Sequence, residues 1–222
     1  MRMMKQILTL LLIVSSVMTV SSQGNAASND PAAKKVLDAV SVKFKTFKTL
    51  KSTFTYKVEN GAGKVLSTKK GTVFMKGNKY RVSFIGQEIF CDGSNVWTFD
   101  NSANEVTITK LDASGGSITP QKLFTDFYDK DFLYKLNGEK KNGAKTIQEI
   151  EMTPIDKNKT FHKVYIYVDK AAKTITGTKV LEKAGSTYVY DVNTLQPNTA
   201  INDSYFVFDE KKYPGVEVID LR

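Results

Sequence analysis

The chain has one cysteine, one histidine and one tryptophan among its 222 residues. A single thiol, Cys91, forms no disulfide within the chain. Cys/His zinc sites and iron–sulfur clusters need several such ligands. Cys91 therefore reads as a small buried apolar residue. A Ser-His-Asp centre would rest on His162 alone, and no Gly-x-Ser-x-Gly motif accompanies it. His162, beside Phe161 at a strand start, reads as an ordinary strand-edge residue. The grouped carboxylates (Asp126, Asp129 and Asp131; Asp209 and Glu210) show no acid/base spacing and read as solvated positions. Gly61-Ala62-Gly63 lacks the strand-to-helix context of a phosphate loop. The expectation is a protein with no catalytic residues, no metal and no cofactor. Heptads and repeats of fixed period are also missing.

What is present describes a folded chain. It is 41% hydrophobic, 25% charged and 11% aromatic, which excludes disordered and collagen-like classes. Lysine and arginine number 32 against 23 acidic residues, a net charge of +9. That balance suits nucleic acid, anionic lipid, acidic partner surfaces or plain solubility. The lysines are spread along the chain, and the N-terminus argues for export, so nucleic acid is not expected.

That N-terminus carries Arg2 and Lys5, then an uncharged apolar run from Ile7 to Val20, then the small polar stretch Ser21–Ala27. This is the order of a secretory signal peptide. The run is shorter than the roughly 20 residues that span a bilayer. The expected division is a cleaved signal peptide, 1–26, and one domain, 27–222. An exported protein without disulfides must stabilise itself through its core.

Asp30–Phe47 is predicted to be a helix, with Asp30 as N-cap, Pro31 at the first position, and Val36, Leu37, Val40, Phe44 and Phe47 on one stripe. From Leu50 the period changes to two. Phe54, Tyr56 and Val58 alternate with polar residues. Strands follow at Val65–Lys76, Tyr80–Phe84, Ile89–Asp92, Val96–Asp100 and Val106–Leu111, separated by Gly- and Asn-rich turns. Ala113–Ser117 breaks this meander. Thr119-Pro120 opens a second helix with Leu123, Phe124, Phe127 and Tyr128 on one face. Strands then resume at Phe132–Gly138, Thr146–Met152, Phe161–Val168, Thr174–Leu181, Thr187–Leu195 and Tyr205–Phe208. Pro197–Asp203 is read as a short helical turn and Val216–Ile219 as a short extended piece.

So many antiparallel strands either flatten, split into a sandwich or curl. Two or three short helices are too few to cover such a sheet. Its aromatic face is therefore either core or the lining of a concavity. The helix at Thr119, set between two strand blocks after a glycine-rich joint, is placed as a lid would be, and also as an ordinary packed helix would be.

Particular residues carry a family resemblance. Gly71–Val82 resembles a strand–turn–strand element of the periplasmic carriers of outer-membrane lipoproteins, the LolA family. Cys91–Asp100 matches their Asp-Gly-x-x-aliphatic-Trp-x-aromatic-Asp/Asn pattern through Asp92-Gly93 and Trp97. Ser52–Tyr56, Thr119-Pro120, Met152-Thr153-Pro154 and Tyr213–Ile219 fit in the same order. The resemblance implies a mainly β fold, an incomplete, half-open antiparallel β-barrel with a lid of two or three short α-helices. It implies a monomeric periplasmic carrier that takes acylated lipoproteins from an ATP-driven release complex in the inner membrane and delivers them to an outer-membrane acceptor. Another lipid, a hydrophobic metabolite or an envelope-stress signal read from lipoproteins would suit the same fold. Tyr80, Val82, Phe84, Trp97, Leu123, Phe124 and Phe127 are the candidate cavity residues. The family's lid-latching arginine falls on Lys76. A lysine is a point charge without the planar bidentate fork, so a lid held by Lys76 is expected to open more readily.

Overall fold

A computed structural model describes residues 29–111 and 128–222. The expected signal peptide and the helix expected from Thr119, with Leu123, Phe124 and Phe127, lie outside these residues.

The helix α1 spans Pro31–Lys45. It starts where the sequence said it should: the Asp30 carboxylate accepts from the Ala32 N–H at 2.8 Å, and Pro31 follows the cap. Six strands come next: β1 (Leu50–Glu59), β2 (Val65–Lys76), β3 (Lys79–Phe84), β4 (Gln87–Cys91), β5 (Asn95–Asp100) and β6 (Glu105–Lys110). The short helix α2 (Tyr128–Asp131) precedes β7 (Phe132–Asn142), β8 (Lys145–Pro154), β9 (Phe161–Asp169), β10 (Thr174–Glu182) and β11 (Thr187–Pro197). The chain ends through two 3-10 turns, Asp203–Phe206 and Glu210–Lys212, and the strand β12 (Glu217–Asp220).

The twelve strands of the described residues form one sheet in the order β12-β6-β5-β4-β3-β2-β1-β11-β10-β9-β8-β7. Neighbours are antiparallel except β12, which lies parallel to β6. Among the described residues β12 and β7 are unpaired edges, so the sheet is open, as the half-open barrel implied by the family resemblance is. One expectation is corrected. Tyr205–Phe208, read as a strand, begins inside the 3-10 turn Asp203–Phe206. Its apolar residues pack onto a sheet face without joining the sheet.

The two faces fill differently. On the concave side, Ala33, Leu37 and Val40 of α1 bury against Tyr134, Ile150, Ile166, Val168 and Ile175 of β7–β10. Further along the chain, Phe44 and Phe47 pack with Leu50, Met75, Tyr80, Val82 and Cys91. α1 thus lies across the trough and joins its two walls. α2 is tied to α1 by polar contacts. Lys34 Nζ lies 3.0 Å from both Asp38 and Asp129, and the Tyr128 hydroxyl donates to Asp38 at 2.8 Å. On the convex side, Phe208, Tyr213 and Val216 from the C-terminal segment cover Phe90, Trp97, Phe99, Val106 and Ile108.

Candidate functional site: an apolar cavity in the trough

Strand alternation sends every second residue to the same face. Tyr80, Val82 and Phe84 of β3 therefore share the concave side with Ile89 of β4, opposite Val82 in register. Phe54 of β1 and Val73 of β2 extend that wall. The facing wall is Met152, Phe161, Val164, Ile166, Ile175 and Val180 from β8, β9 and β10. Tyr188, Tyr190 and Val192 of β11 form the floor between them. These side chains surround a cavity of about 500 Å³. That size suits a small hydrophobic ligand or part of a larger one. Among the described lining residues none is charged and none belongs to α1. The cavity is the stretch of trough that α1 leaves unfilled.

Three of the sequence-predicted residues, Tyr80, Val82 and Phe84, are brought together here. Leu123, Phe124 and Phe127 lie outside the described residues. Trp97 departs from expectation. It stands opposite Phe90 and Ile108 in register and packs with them on the convex side. The reason is parity. Phe90 also faces Arg81, the neighbour that points away from Tyr80 and Val82. The wall from β8–β11 was not singled out from the sequence, although Val164/Ile166/Val168 and Tyr188/Tyr190/Val192 carry its alternation.

The cavity is not uniform. Tyr56, Tyr188 and Tyr190 cluster, with ring centroids of Tyr56 at 5.9 Å from Tyr188 and 5.0 Å from Tyr190. The Tyr188 hydroxyl donates to Glu182 at 3.2 Å. Burial, then the neighbouring Tyr56 and Tyr188, pushes the Tyr190 hydroxyl up to about 12. Burial likewise raises Tyr80, with a smaller effect from Cys91, which is itself fully buried. Phe54 lies across Gly71, where a Cβ would stand 2.5 Å from the ring. The glycine lets the ring fold down beside the cavity.

Lys76, the candidate latch, engages the C-terminal segment. Its ammonium donates to the Ile201 carbonyl at 3.2 Å and pairs with Asp203 at 2.7 Å. Lys79 binds the other oxygen of Asp203 at 2.6 Å. The hydrogen bonds from Lys76 and Lys79 hold the Asp203 carboxyl at about 2. Nearby, the Arg81 guanidinium lies between the Phe90 and Tyr205 rings, 4.4 and 4.5 Å from their centroids, and bonds Glu88 through Nε at 3.0 Å. No group of His, Cys, Asp and Glu suited to a metal ion occurs among the described residues.

Comparisons with known proteins agree with this geometry. The profile of the family described as outer membrane lipoprotein carrier protein LolA matches residues 45–209. The outer-membrane lipoprotein carrier protein of Cupriavidus necator is 27% identical over 168 residues, 73% of this chain and 76% of that one. The corresponding protein of Ralstonia nicotianae is 31% identical over 134 residues, covering 60% and 59%. The crystal structure of an uncharacterized conserved protein from Thermus thermophilus superposes with a TM-score of 0.59 at 13% identity, over 85% of this chain and 99% of that one. That likeness concerns the fold alone. The profile spans both walls of the trough and the clamp at Asp203, and the chain belongs to the LolA family of outer membrane lipoprotein carriers.

Proposed function

We propose that this protein is a non-enzymatic periplasmic carrier that shelters the acyl chains of lipoproteins in the trough cavity. In this reading, residues 1–26 are removed on export and 27–222 form the carrier domain. Cargo arrives from an ATP-driven release complex in the inner membrane and leaves at an outer-membrane acceptor. The observation that carries the proposal is the cavity itself: about 500 Å³, lined by aliphatic and aromatic side chains from both walls of an open sheet. Each acyl methylene hidden from water contributes roughly 0.8 kcal/mol. A chain of about 16 carbons crossing water exposed would cost on the order of 10 kcal/mol. A hollow apolar trough removes most of that cost. Tyr80, Val82 and Phe84 would contact the chain, together with Ile166, Ile175 and Val180. The tyrosine cluster offers hydroxyls to ester groups.

Delivery also requires release. Movement of the flanking helices into the trough would compete with lipid, and the differential affinity of the two arrangements would set the balance. The test is to incubate the mature protein with spheroplasts and look for lipoproteins leaving the inner membrane in a soluble complex. Their release, with acylated species in the complex by native mass spectrometry, is the expected result. No release and no bound acylated species would overturn the function. A free lipid or pigment in the cavity instead would assign the fold to a different cargo.

A further inference from the structure

The β1–β2 hairpin outruns its neighbour. β1 pairs with β2 along its length, from Met75 to Val65. β3 pairs only with Gly71–Lys76 and ends where Phe84 meets Gly71. Among the described residues Val65–Lys70 is therefore bonded on one side only, a free edge within the strand order. Lys76 and Lys79 close a two-residue turn, so Lys76, Phe74 and Thr72 direct their backbone groups to β3. The same period turns the N–H and C=O of Lys70 and Thr68 to the vacant side, as far as the bulge at Leu66, where the register steps from Ser67 opposite Val58 to Val65 opposite Glu59. Leu66 is 60% exposed, and Ile85, just beyond the end of β3, is 77% exposed. A recess of about 610 Å³ opens at this step, with Lys70, Thr72, Ser83 and Ile85 in its walls.

Charge decides what fits there. Lys64, Lys69 and Lys70 are all exposed and have no ion-pair partner among the described residues. Lysines on an open edge normally discourage pairing. Against a second copy of this hairpin they set ammonium against ammonium. Against an acidic strand they attract. The edge is thus closed to itself and open to the opposite charge.

We propose that Val65–Lys70 is a docking strand that accepts an extended acidic segment of a partner protein. The segment adds to the sheet in the row that β3 vacates, and its alternate apolar side chains cover Leu66 and Ile85. Main-chain hydrogen bonds supply affinity, and the lysines and the recess supply selectivity. This surface lies apart from the cavity lining except at Phe54 and Phe84, and it holds whatever the cavity carries.

The test uses the mature chain and a short labelled peptide alternating valine with glutamate, followed by fluorescence anisotropy. Saturable binding is expected, weakening with salt, and a valine–lysine counterpart should not bind. Lys69→Glu with Lys70→Glu should weaken the acidic peptide by about tenfold and admit the basic one. Thr68→Pro removes an outward N–H and leaves the β1 ladder intact, so it should also cost about tenfold. Unchanged circular dichroism establishes that each variant is folded; if Thr68→Pro is not, the charge-swapped pair decides. No binding of the acidic peptide, or binding unmoved by the charge swap, overturns the proposal. So does dimerisation in sedimentation lost in Thr68→Pro, which makes a second copy the occupant. Cosedimentation with anionic phosphatidylglycerol vesicles lost in Leu66→Ser would assign the edge to a membrane instead.

Discussion

The two faces of the sheet use aromatic and aliphatic side chains in two ways. In β3, Tyr80, Val82 and Phe84 face the trough, while Arg81 and Ser83 face outward. Both faces of this half of the sheet are rich in apolar residues. On the convex face the returning C-terminal segment supplies Phe208 and Tyr213, which stack at 4.5 Å and close over Phe99. On the concave face α1 supplies side chains along only part of the trough. Hydrophobicity is common to both; what separates a core from a cavity is whether the chain returns enough side-chain volume to fill it.

Substitutions on the two faces should therefore behave differently. The largest expected effect is on the filled side. Trp97→Ala should cost about 3–5 kcal/mol of stability, read by urea denaturation, because it hollows a packed cluster. Cavity occupancy, read with an apolar fluorescent probe at temperatures where the variant is folded, should stay unchanged. A loss of probe binding parallel to the loss of stability would erase the distinction between the faces. Arg81→Lys comes next. It removes the planar group from between Phe90 and Tyr205 and the fork to Glu88, and about 1–3 kcal/mol should be lost in the same measurement.

On the hollow side the expected pattern reverses. Val180→Trp places an indole into existing space. Stability should move by less than about 1 kcal/mol, while binding of the probe falls by about tenfold. A stability loss as large as that of Trp97→Ala would mean that the trough is already packed.

The smallest effect concerns the clamp at Asp203. The carboxyl is held at about 2, below its ordinary 3.8, mainly by its hydrogen bonds to Lys76 and Lys79. A depressed acid contributes stability above its unfolded value, and that contribution fades as pH falls through the folded one. Tryptic cutting at Lys211 or Lys212 cannot be followed in acid, so near-ultraviolet circular dichroism between pH 4 and pH 2 is the suitable readout. A small loosening of the aromatic C-terminal segment is expected there, and Asp203→Asn should show it already at neutral pH.

Much of this fold was legible because its signals are local. The cap at Asp30, the change of period at Leu50 and the glycine turns at Gly77 and Gly93 each depend on a few neighbouring residues. Strand bounds such as Val65–Lys76 followed directly. The inward triplet of β3 was legible for the same reason. Trp97 was misplaced because alternation tells which residues share a face within one strand but not which face of the sheet is hollow. That depends on register across β3, β4 and β5, a non-local property. Tyr205–Phe208 has the composition of a strand, yet it lies over the convex face, where Phe208 meets β4, β5 and β6, strands whose neighbours in the sheet are already in place. The role of α1 in filling part of the trough was hidden too, since an apolar stripe does not say what it will meet.

The C-terminal segment has a consequence for the order of assembly. β4 and β5 precede Phe208 and Tyr213, which cover them, by roughly a hundred residues along the chain. Until those last residues emerge, Phe90, Trp97 and Phe99 form an uncovered greasy patch on an incomplete half-shell. Final assembly therefore awaits the tail, and a chain truncated before Asp203 should be a client for holding chaperones and proteases rather than a smaller version of the same protein.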